Sequence, residues 1–515
     1  MQQPPGAAPG HGAVLCEPPA SSWRALAAHN AAALDASRVH VGAVALGELR
    51  AAARPEILEL AASTLARWGD PAPRAGPGPL LVTGHQPLLF HPGIWVKHVL
   101  VAAAVASGGT GLGLIVDCDE AGALDVPVPR RGPRLSVARR RLGAAPAGVP
   151  FEAAPPPAAR DWERFIATVR ADLATLGQPE LLGRLDELDR AGRALVPASA
   201  SLGDFVARLR RGVEQRAGAP CLHELPVSRL SQSRAFRAFA AALCADFERL
   251  WEAHNRALGA HRRGAGIRNA AWPWPDLRER EGWLELPLWA VRQGRREAVF
   301  ARRQGKMVIL RVATQPELAR LDGPCVAVDA GLRPRALVLT MFARLCLGDL
   351  FVHGTGGGRY DLATDAVMRE LFAMEPPAFA VASATFPLPL GPAPDVTAEL
   401  DALRRLLADL DHCPARHIDP AEPRQRALAA ERRQIAAALA SRALSPADRA
   451  AAARRLRALR SQLAAALAAR RREIEGRLGE LRARAVEHRA ATLREYPLFL
   501  FDLVALRAAV ALGAG

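Results

Sequence analysis

The stretch "LLVTGHQPLLFHPGIWVKH" (Leu80–His98) joins a short apolar run to a second apolar pattern through a polar turn. The run Leu80–Val82 has the length and composition of a buried strand. After it come Thr83–Gln86 and then His91, and the apolar pattern that follows carries Lys97. The turn is either a ligand-binding loop at the end of a buried strand or a polar surface loop, and its sequence neighbours bear on the choice.

The elements that follow the turn indicate a βαβ unit. A helical pattern over Ile94–Ser107 ends at two glycines, and "GLGLIVDCDE" (Gly111–Glu120) then runs from apolar residues into acids. Strand, helix and strand in this order predict an α/β protein with a parallel sheet. Ligands of such sheets bind at the carboxyl ends of the strands, where His85 and Asp117 are expected.

A second block, "DLFVHGTGGGRYD" (Asp349–Asp361), predicts a strand, a glycine-rich turn and a helix beginning near Leu362. Glycines let backbone N–H groups approach a ligand, and a helix N-terminus adds partial positive charge, so Gly354–Gly358 can cradle phosphate or carboxylate. The block matches neither the Walker P-loop nor the GxGxxG fingerprint, so a purely structural turn stays open.

Three groups of polar residues therefore follow predicted strands. Histidines there can stabilise anions or act as acid or base, and the acids can hold a metal, bind an amine or ribose, or activate a nucleophile. No recognised metal-ligand spacing occurs, because His85 and His91 lie six apart across a proline. The groups are Thr83, Gly84, His85, Gln86 and His91; Asp117, Asp119 and Glu120; and His353, Gly354–Gly358, Tyr360 and Asp361.

Composition narrows the class of partner. The chain has 515 residues and a formal net charge of +16, but its basic residues are arginines except Lys97 and Lys306. This bias fits a GC-rich genome, and no basic motif interleaved with aromatics accompanies it, so nucleic acid is not the expected partner.

Seven scattered cysteines without a Cys-x-x-Cys pair favour reduced thiols in the cytoplasm. No uninterrupted apolar run reaches the roughly 20 residues of a membrane span.

Two further regions have weaker patterns. Prolines and arginines over Pro127–Arg160 predict an exposed connection or an irregular insertion. Alternating segments around Gly294 and Gly305 predict antiparallel strands. Four tryptophans accompany those strands and either stack on a sugar or base or fill a core. They are Trp272, Trp274, Trp283 and Trp289.

The C-terminal part is helical. Val396–Asp411 and Arg424–Ser441 are rich in Ala, Leu, Arg and Glu, and Ser445 is a predicted N-cap. The next roughly 50 residues would span about 75 Å as one helix, so an antiparallel coiled coil is predicted, serving dimerisation or forming a wall of the site. We expect three regions: an α/β core with helical and small β insertions (1–394), the coiled coil (395–496) and a segment packing back on the core (497–515).

Several motifs resemble one family. "VTGHQPLLFHPG" (Val82–Gly93) resembles the "TGQQ-x-G-L-F-x-G-P" motif of BshC, the cysteine-adding enzymes of bacillithiol biosynthesis. "LIVDCDE" (Leu114–Glu120) stands where that family has a strand entering an acidic "ADEDHD" turn. The block Arg333–Asp361 is similar to the family's stretch from "SPNVL" to "YVGGPGEIAY", and "ASAT" (Ala382–Thr385) matches a later landmark. His85 stands where the family has glutamine.

The resemblance implies a Rossmann-like core related to nucleotidyltransferases, a coiled coil, and a reaction that joins cysteine to glucosaminyl-malate through an amide. It implies that ATP or ADP is the nucleotide if one is used, and that a small molecule is the substrate. By position, the resemblance places Thr83, Gly84 and Gln86 in the pocket, Asp117 and Asp119 in the acidic turn, and Gly354, Gly357 and Tyr360 in the glycine-rich loop.

The sequence thus predicts a divergent BshC-like ligase that is cytoplasmic and dimeric and adds cysteine or another amino compound to a small polar acceptor. The alternative is a non-catalytic interaction protein whose basic helices bind a partner or nucleic acid. The predicted catalytic residues are His85, His91, Asp117 and Asp119, and the predicted binding residues are Thr83, Gly84, Gln86, Lys97, His353, Gly354, Gly356, Gly357, Gly358, Tyr360 and Asp361.

Overall fold

The computed structural model describes residues 9–216, 218, 221–269, 275–322, 331–440 and 444–513. The chain forms two compact units. The core unit comprises Met1–Val128, Ala138–Leu388 and Arg494–Gly515, and the helical unit comprises Pro129–Val137 and Pro389–Leu493. Within the described ranges, no helix combines the length and apolarity needed to cross a membrane.

Helices predominate in both units. The helices are α1 (Trp23–Asp35), α2 (Leu46–Trp68), α3 (Pro92–Val105), α4 (Ala159–Ala174), α5 (Pro179–Leu195), α6 (Leu202–Arg216), α7 (Val227–Leu230), α8 (Arg234–Ala245), α9 (Phe247–Gly264), α10 (Ala336–Phe342), α11 (Thr355–Phe372), α12 (Thr397–His412), α13 (Pro423–Ala440), α14 (Pro446–Ala466), α15 (Ala468–Ala491) and α16 (Leu503–Gly513).

The strands lie mainly in two sheets. The strands are β1 (Ala13–Glu17), β2 (His40–Val41), β3 (Val44–Ala45), β4 (Leu80–His85), β5 (Thr110–Ile115), β6 (Ala123–Arg131), β7 (Leu135–Ala144), β8 (His223–Pro226), β9 (Glu279–Arg280), β10 (Trp283–Arg292), β11 (Arg295–Gln304), β12 (Met307–Val312), β13 (Gln315–Asp322), β14 (Leu332–Pro334), β15 (Leu350–His353) and β16 (Ala380–Thr385).

The central sheet has the order β1-β16-β15-β4-β5-β8. All neighbours are parallel except β1, which pairs antiparallel with β16 at the edge. The predicted α/β class with a parallel sheet is confirmed, and β4, α3 and β5 form the βαβ unit expected from Leu80–His98. Strand β5 is buried along its whole length, which explains why its sequence is an apolar run rather than an alternating pattern.

The strand order reverses beside β4. The chain passes from β4 to its neighbour β5 on one side, whereas β15, the neighbour on the other side, leads away to β16. Such a reversal leaves a crevice at the carboxyl ends of the two middle strands, because the connections after them diverge. Those ends are His85 and His353.

The second sheet is antiparallel, as predicted, with the order β13-β12-β11-β10-β14. Gly294 and Gly305 make its turns with φ values of 74° and 61°, in the left-handed region that favours glycine. Trp283 is buried, with the guanidinium groups of Arg302 and Arg311 4.4 and 4.3 Å from its ring centroid. Trp272 and Trp274 lie outside the described residues.

The prediction of an irregular connection over Pro127–Arg160 was wrong. Strands β6 and β7 form a two-stranded hairpin there, followed by the start of α4. Prolines at 127 and 129 are tolerated because each strand of an isolated hairpin has one side without a ladder partner, where no N–H is needed.

The helical unit is built on two antiparallel helix pairs, α12 with α15 and α13 with α14. Leucines of α12 and α15 form its apolar core, and the Ser445 hydroxyl caps α14 by accepting from the N–H of Asp448 at 3.2 Å. The long C-terminal helical segment is divided into α14 and α15 at Leu467 rather than at its glycines. Helical hydrogen bonds still cross this point, from Leu467 N to Leu463 O and from Arg471 N to Leu467 O, both at 3.0 Å.

Candidate functional site

A cavity of about 360 Å³ lies at the carboxyl ends of β4 and β15. It occupies the crevice where the strand order reverses, so the strand topology accounts for its position. Residues that line it include Gly84, His85, Gln86, His91, Gly93, Lys97, Asp119, Leu339, Thr340, Phe351, His353, Gly354, Thr355, Gly356, Gly357, Ser383 and Arg494.

The turn after β4 and the acidic turn after β5 meet in this cavity. Gln86 Nε2 donates to Asp119 Oδ2 at 2.9 Å, which joins the two turns directly. Lys97 reaches from α3 to donate from Nζ to the carbonyl of Gly84 at 2.8 Å. Residues from the opening sequence stretch and from the acidic turn thus share one wall, as the strand order predicted.

His85 and His91 are held neutral by their surroundings. Burial and the nearby charge of Lys97 lower the pKa of His85 to about 3. Burial, Arg494 and Lys97 lower the pKa of His91 to about 4. His91 also caps α3, since its Nδ1 accepts from the N–H of Gly93 at 3.1 Å, so Nε2 carries its proton. Neither histidine supplies positive charge near pH 7, whereas both can take part in neutral hydrogen bonds.

His353 is paired with a buried carboxylate. Its Nε2 lies 2.8 Å from Oδ2 of Asp361, and Arg344 Nη1 contacts the same oxygen at 2.6 Å. Burial alone would raise the pKa of Asp361, but Arg344 and His353 outweigh burial and hold it at about 2. The ionised carboxylate can only accept, so the proton between the two groups is on Nε2, which donates to Asp361.

The glycine-rich segment is helical, which corrects the prediction of a turn before a helix near Leu362. Helix α11 begins at Thr355 with Gly354 as its N-cap. The first N–H groups of a helix have no intrahelical partner, so the glycines of the first turn present them to the cavity without side chains in the way. The partial positive charge of this helix end adds to that of Lys97 and Arg494.

The imidazole of His353 leaves no room for a side chain at position 357. A Cβ at position 357 would lie 2.8 Å from Nδ1 of His353, whereas one at Gly356 would meet nothing within 4 Å. We expect Gly357→Ala to displace the imidazole and weaken its bond to Asp361, and Gly356→Ala to leave both the ring and the stability unchanged or slightly raised. Histidine-labelled NMR spectra and thermal melting of both variants measure this, and unchanged His353 resonances in Gly357→Ala would disprove the contact.

Five predicted residues do not line this cavity. Thr83 is buried in the sheet, where Oγ1 donates to the carbonyl of Val352 at 2.8 Å. Gly358 is buried inside α11, and Tyr360 lies outside, with its ring 6.2 Å from that of His261. Asp361 lies behind His353, as described above. Asp117, the fifth, has a structural contact of its own.

Asp117 fixes the start of α7. Its two carboxylate oxygens accept from the backbone N–H and the hydroxyl of Ser228 at 2.9 and 2.5 Å. Burial and the charge of Glu152 raise its pKa to about 7. The predicted catalytic role of Asp117 therefore gives way to a positioning role, because the carboxylate points into the fold rather than into the cavity.

The raised pKa of Asp117 predicts a pH effect on stability. Between about pH 4 and 7 the folded protein keeps a proton that the unfolded chain releases, so this group makes stability fall as pH rises. Asp117→Asn removes that titration and retains a side chain that can bond Ser228, so the melting temperature should fall less across this range. Asp125→Asn is the control, because its exposed ion pair with Arg141 lowers the pKa of Asp125. An unchanged slope in Asp117→Asn would contradict the assignment.

A second cavity of about 460 Å³ shares Asp119 and Ala336 with the first. Trp289 lines it, with the guanidinium carbons of Arg296 and Arg335 4.7 and 3.8 Å from its ring centroid. The Nε atoms of both arginines are buried and have no hydrogen-bond partner in the described part of the chain. Glu285 pairs with Arg335, and Asp119 and Glu120 pair with Arg296, so charges of both signs lie at the wall of this cavity.

Sequence reasoning missed Arg494, Ser383, Arg296 and Arg335. Arg494 Nη2 donates to Ser383 Oγ at 2.9 Å on the wall of the first cavity. Ser383 lies near the carboxyl end of β16, so its place after a buried strand was an available indication. The sequence offers no such indication for the three arginines. Arginine is so frequent in this chain that a local pattern does not single out individual residues.

One group of described residues has the spacing of metal ligands, namely His98, Glu214 and Glu224. Arg210 Nη1 lies 2.8 Å from a carboxylate oxygen of each glutamate, and Arg211 lies 3.3 Å from Glu224, so two guanidinium groups balance the two negative charges. A cation in this cluster would face the guanidinium directly, so we assign the cluster to fold stability.

Comparison with known proteins adds no relative to this picture. No protein-family model matches the sequence, and no curated protein matches it closely enough to be identified as a relative. The strand topology and the two adjoining cavities therefore carry the functional argument.

Proposed function

We propose that the first cavity is the active site of a BshC-like ligase that joins cysteine or another amino compound to a small polar acceptor. The observation that carries the proposal is the meeting of cationic groups, neutral histidines and one carboxylate at the strand-order reversal. The sequence resemblance supplies the reaction class, and glucosaminyl-malate is the acceptor that it implies.

The shared wall of the two cavities supports a reaction between two ligands. Asp119 lines both cavities, and its carboxylate accepts from Gln86 on one side and lies 3.4 Å from Arg296 on the other. A carboxylate in this position can hold the ammonium group of an amino substrate. An acceptor with an anionic group would then bind beside Trp289 and its two arginines.

Amide formation needs a base for the attacking amine. His353 can take the proton released by the amine on Nδ1, because Asp361 holds its Nε2 proton and stabilises the cation that forms. The carboxylate oxygen that leaves must be activated, since hydroxide is a poor leaving group. ATP would accept that oxygen on phosphorus if the reaction consumes it.

The residues at the N-terminus of α11 suit a phosphate. Gly354, Gly356 and Gly357 leave the backbone N–H groups accessible, and Lys97 and Arg494 lie in the same cavity. We therefore include ATP or ADP as a ligand of this site in the proposal. We likewise propose that the parallel sheet is Rossmann-like.

The helical unit is proposed to be an antiparallel coiled coil that supports a homodimer. Apolar residues that recur every three or four positions in α12 and α15 support the coiled coil, because they make one apolar seam along each helix. Sedimentation of the full chain tests it, with a dimer expected and a monomer at micromolar concentration contradicting it.

Two assays test the reaction. Incubation of the protein with cysteine, glucosaminyl-malate and ATP should yield an amide that mass spectrometry detects as the sum of the two reactants less one water. A deletion strain should lack the corresponding low-molecular-weight thiol. Absence of product in the first assay, with a normal thiol profile in the second, would overturn the proposed reaction.

A non-catalytic interaction protein is the second candidate. The exposed faces of α14 and α15 carry many arginines, among them Arg454, Arg457 and Arg472, which favours a polyanionic partner. Such binding would weaken steeply with salt. A salt-sensitive gel shift with RNA or DNA, together with no thermal response to any of the three metabolites, would favour this candidate over the ligase.

A further inference from the structure

Lys97 is chemically unlike the other basic residues of the core. The chain has 68 lysines and arginines, of which only Lys97 and Lys306 are lysines. A guanidinium stays protonated in proteins, whereas an amine can lose its proton and become a nucleophile. An amine at position 97 therefore offers chemistry that arginine, used nearly everywhere else in this chain, does not.

The surroundings of Lys97 make the neutral amine more accessible than it is for an exposed lysine. The residue is 3% exposed, and its helical neighbours Trp95, Val96 and Val99 are buried apolar side chains. Its Nζ donates to the carbonyl of Gly84 at 2.8 Å, and no carboxylate in the described residues lies within 4.0 Å of it. Burial lowers the pKa of Lys97 to about 8, so a substantial fraction is neutral in mildly alkaline solution.

The cavity also supplies an anchor for an anion. Arg494 and the N-terminus of α11 line it together with Lys97, and His91 carries a proton on Nε2 because its Nδ1 accepts from Gly93. A small carbonyl compound with a carboxylate or phosphate group would find its anion bound and its carbonyl near an amine. Lysines in such apolar, cationic surroundings form Schiff bases with carbonyl substrates.

We propose that Lys97 forms a Schiff base with a small anionic carbonyl compound bound in the first cavity, an activity beyond the proposed ligase reaction. The nitrogen lone pair of Nζ attacks the carbonyl carbon, and proton transfer gives a neutral carbinolamine. The carbonyl oxygen then leaves as water, carrying both hydrogens that the amine has lost. The imine forms without any change in oxidation state.

Reductive trapping tests the proposal on the full chain. The protein is incubated with glyoxylate and sodium cyanoborohydride, and the modified residue is located by peptide mapping. We expect Lys97 to be labelled at least tenfold faster than the exposed Lys306, with Lys306→Arg labelled as the parent is. Mapping separates both sites from the chain's amino terminus, and labelling of Lys306 at a rate equal to or above that of Lys97 would overturn the proposal.

Arg494→Gln gives a second, independent readout that does not require altering Lys97. Loss of the guanidinium should slow labelling by anionic glyoxylate severalfold while leaving labelling by uncharged formaldehyde unchanged. An equal effect on both aldehydes would contradict the anion anchor. The readout is a covalent adduct, so a negative ligase assay leaves it intact, and an absent adduct leaves the ligase proposal standing.

Discussion

Replacing Glu224 by alanine is expected to lower the free energy of unfolding by about 3–5 kcal/mol, the cost of breaking a buried ion pair by removing one partner. Glu224 on β8 is fully buried and accepts from Arg210 at 2.8 and 2.5 Å, and Arg211 lies 3.3 Å from it. Both arginines are themselves buried, so the substitution leaves two guanidinium groups without their shared carboxylate.

The exposed pair of Glu317 and Arg320 provides the control, because Glu317→Ala breaks an ion pair of similar geometry in water. Calorimetric melting of the parent and both variants makes the comparison. We expect a large drop in melting temperature for Glu224→Ala and almost none for Glu317→Ala. Equal melting of the two variants would show that the buried cluster does not stabilise the core unit.

Replacing His353 by glutamine is expected to reduce ligase turnover by roughly 10²–10⁴-fold, the usual contribution of a positioned general base. Glutamine has a similar length and keeps a hydrogen bond to Asp361, but it cannot accept the amine proton. Binding of the substrates should change little, since His353 acts on the proton rather than on the anionic groups. Turnover and KM in the amide-forming assay separate the two effects.

His261→Gln is the matched control, because His261 lies outside both cavities, beside Tyr360. Its turnover should equal that of the parent. Turnover retained in His353→Gln would remove the general base from the mechanism, and a comparable loss in both variants would point to a general effect on folding.

The path of the chain through the central sheet could be predicted because local patterns agree with the tertiary structure there. Leu80–Val82 and Gly111–Ile115 are apolar runs that become β4 and β5, and both runs end in polar residues. The hairpin of β6 and β7 could not be predicted, because its prolines and arginines are typical of a loop. Only the pairing of the two strands, which no local pattern shows, makes this stretch a hairpin. The early start of α11 was missed because three successive glycines disfavour helix locally.

The candidate site was predicted in part. His85, Gln86, Asp119 and the first glycines of α11 come together because they follow strands that are neighbours in the sheet. Asp117 could not be distinguished from Asp119 by sequence, since the choice between fold and cavity depends on Ser228, more than a hundred residues away. Arg494 returns to the core unit after the whole helical unit, a distance that no local pattern spans.

Isothermal titration with ATP, cysteine and glucosaminyl-malate tests most directly the claim that the first cavity is the ligand-binding site. Arg494→Gln removes a cation from its wall, and Arg320→Gln removes one from an exposed strand as the control. We predict that at least one ligand binds the parent and Arg320→Gln alike and binds Arg494→Gln at least tenfold more weakly, as expected for a lost charged hydrogen bond. Equal affinity in all three proteins, or no binding to the parent, would show that the first cavity does not bind these ligands.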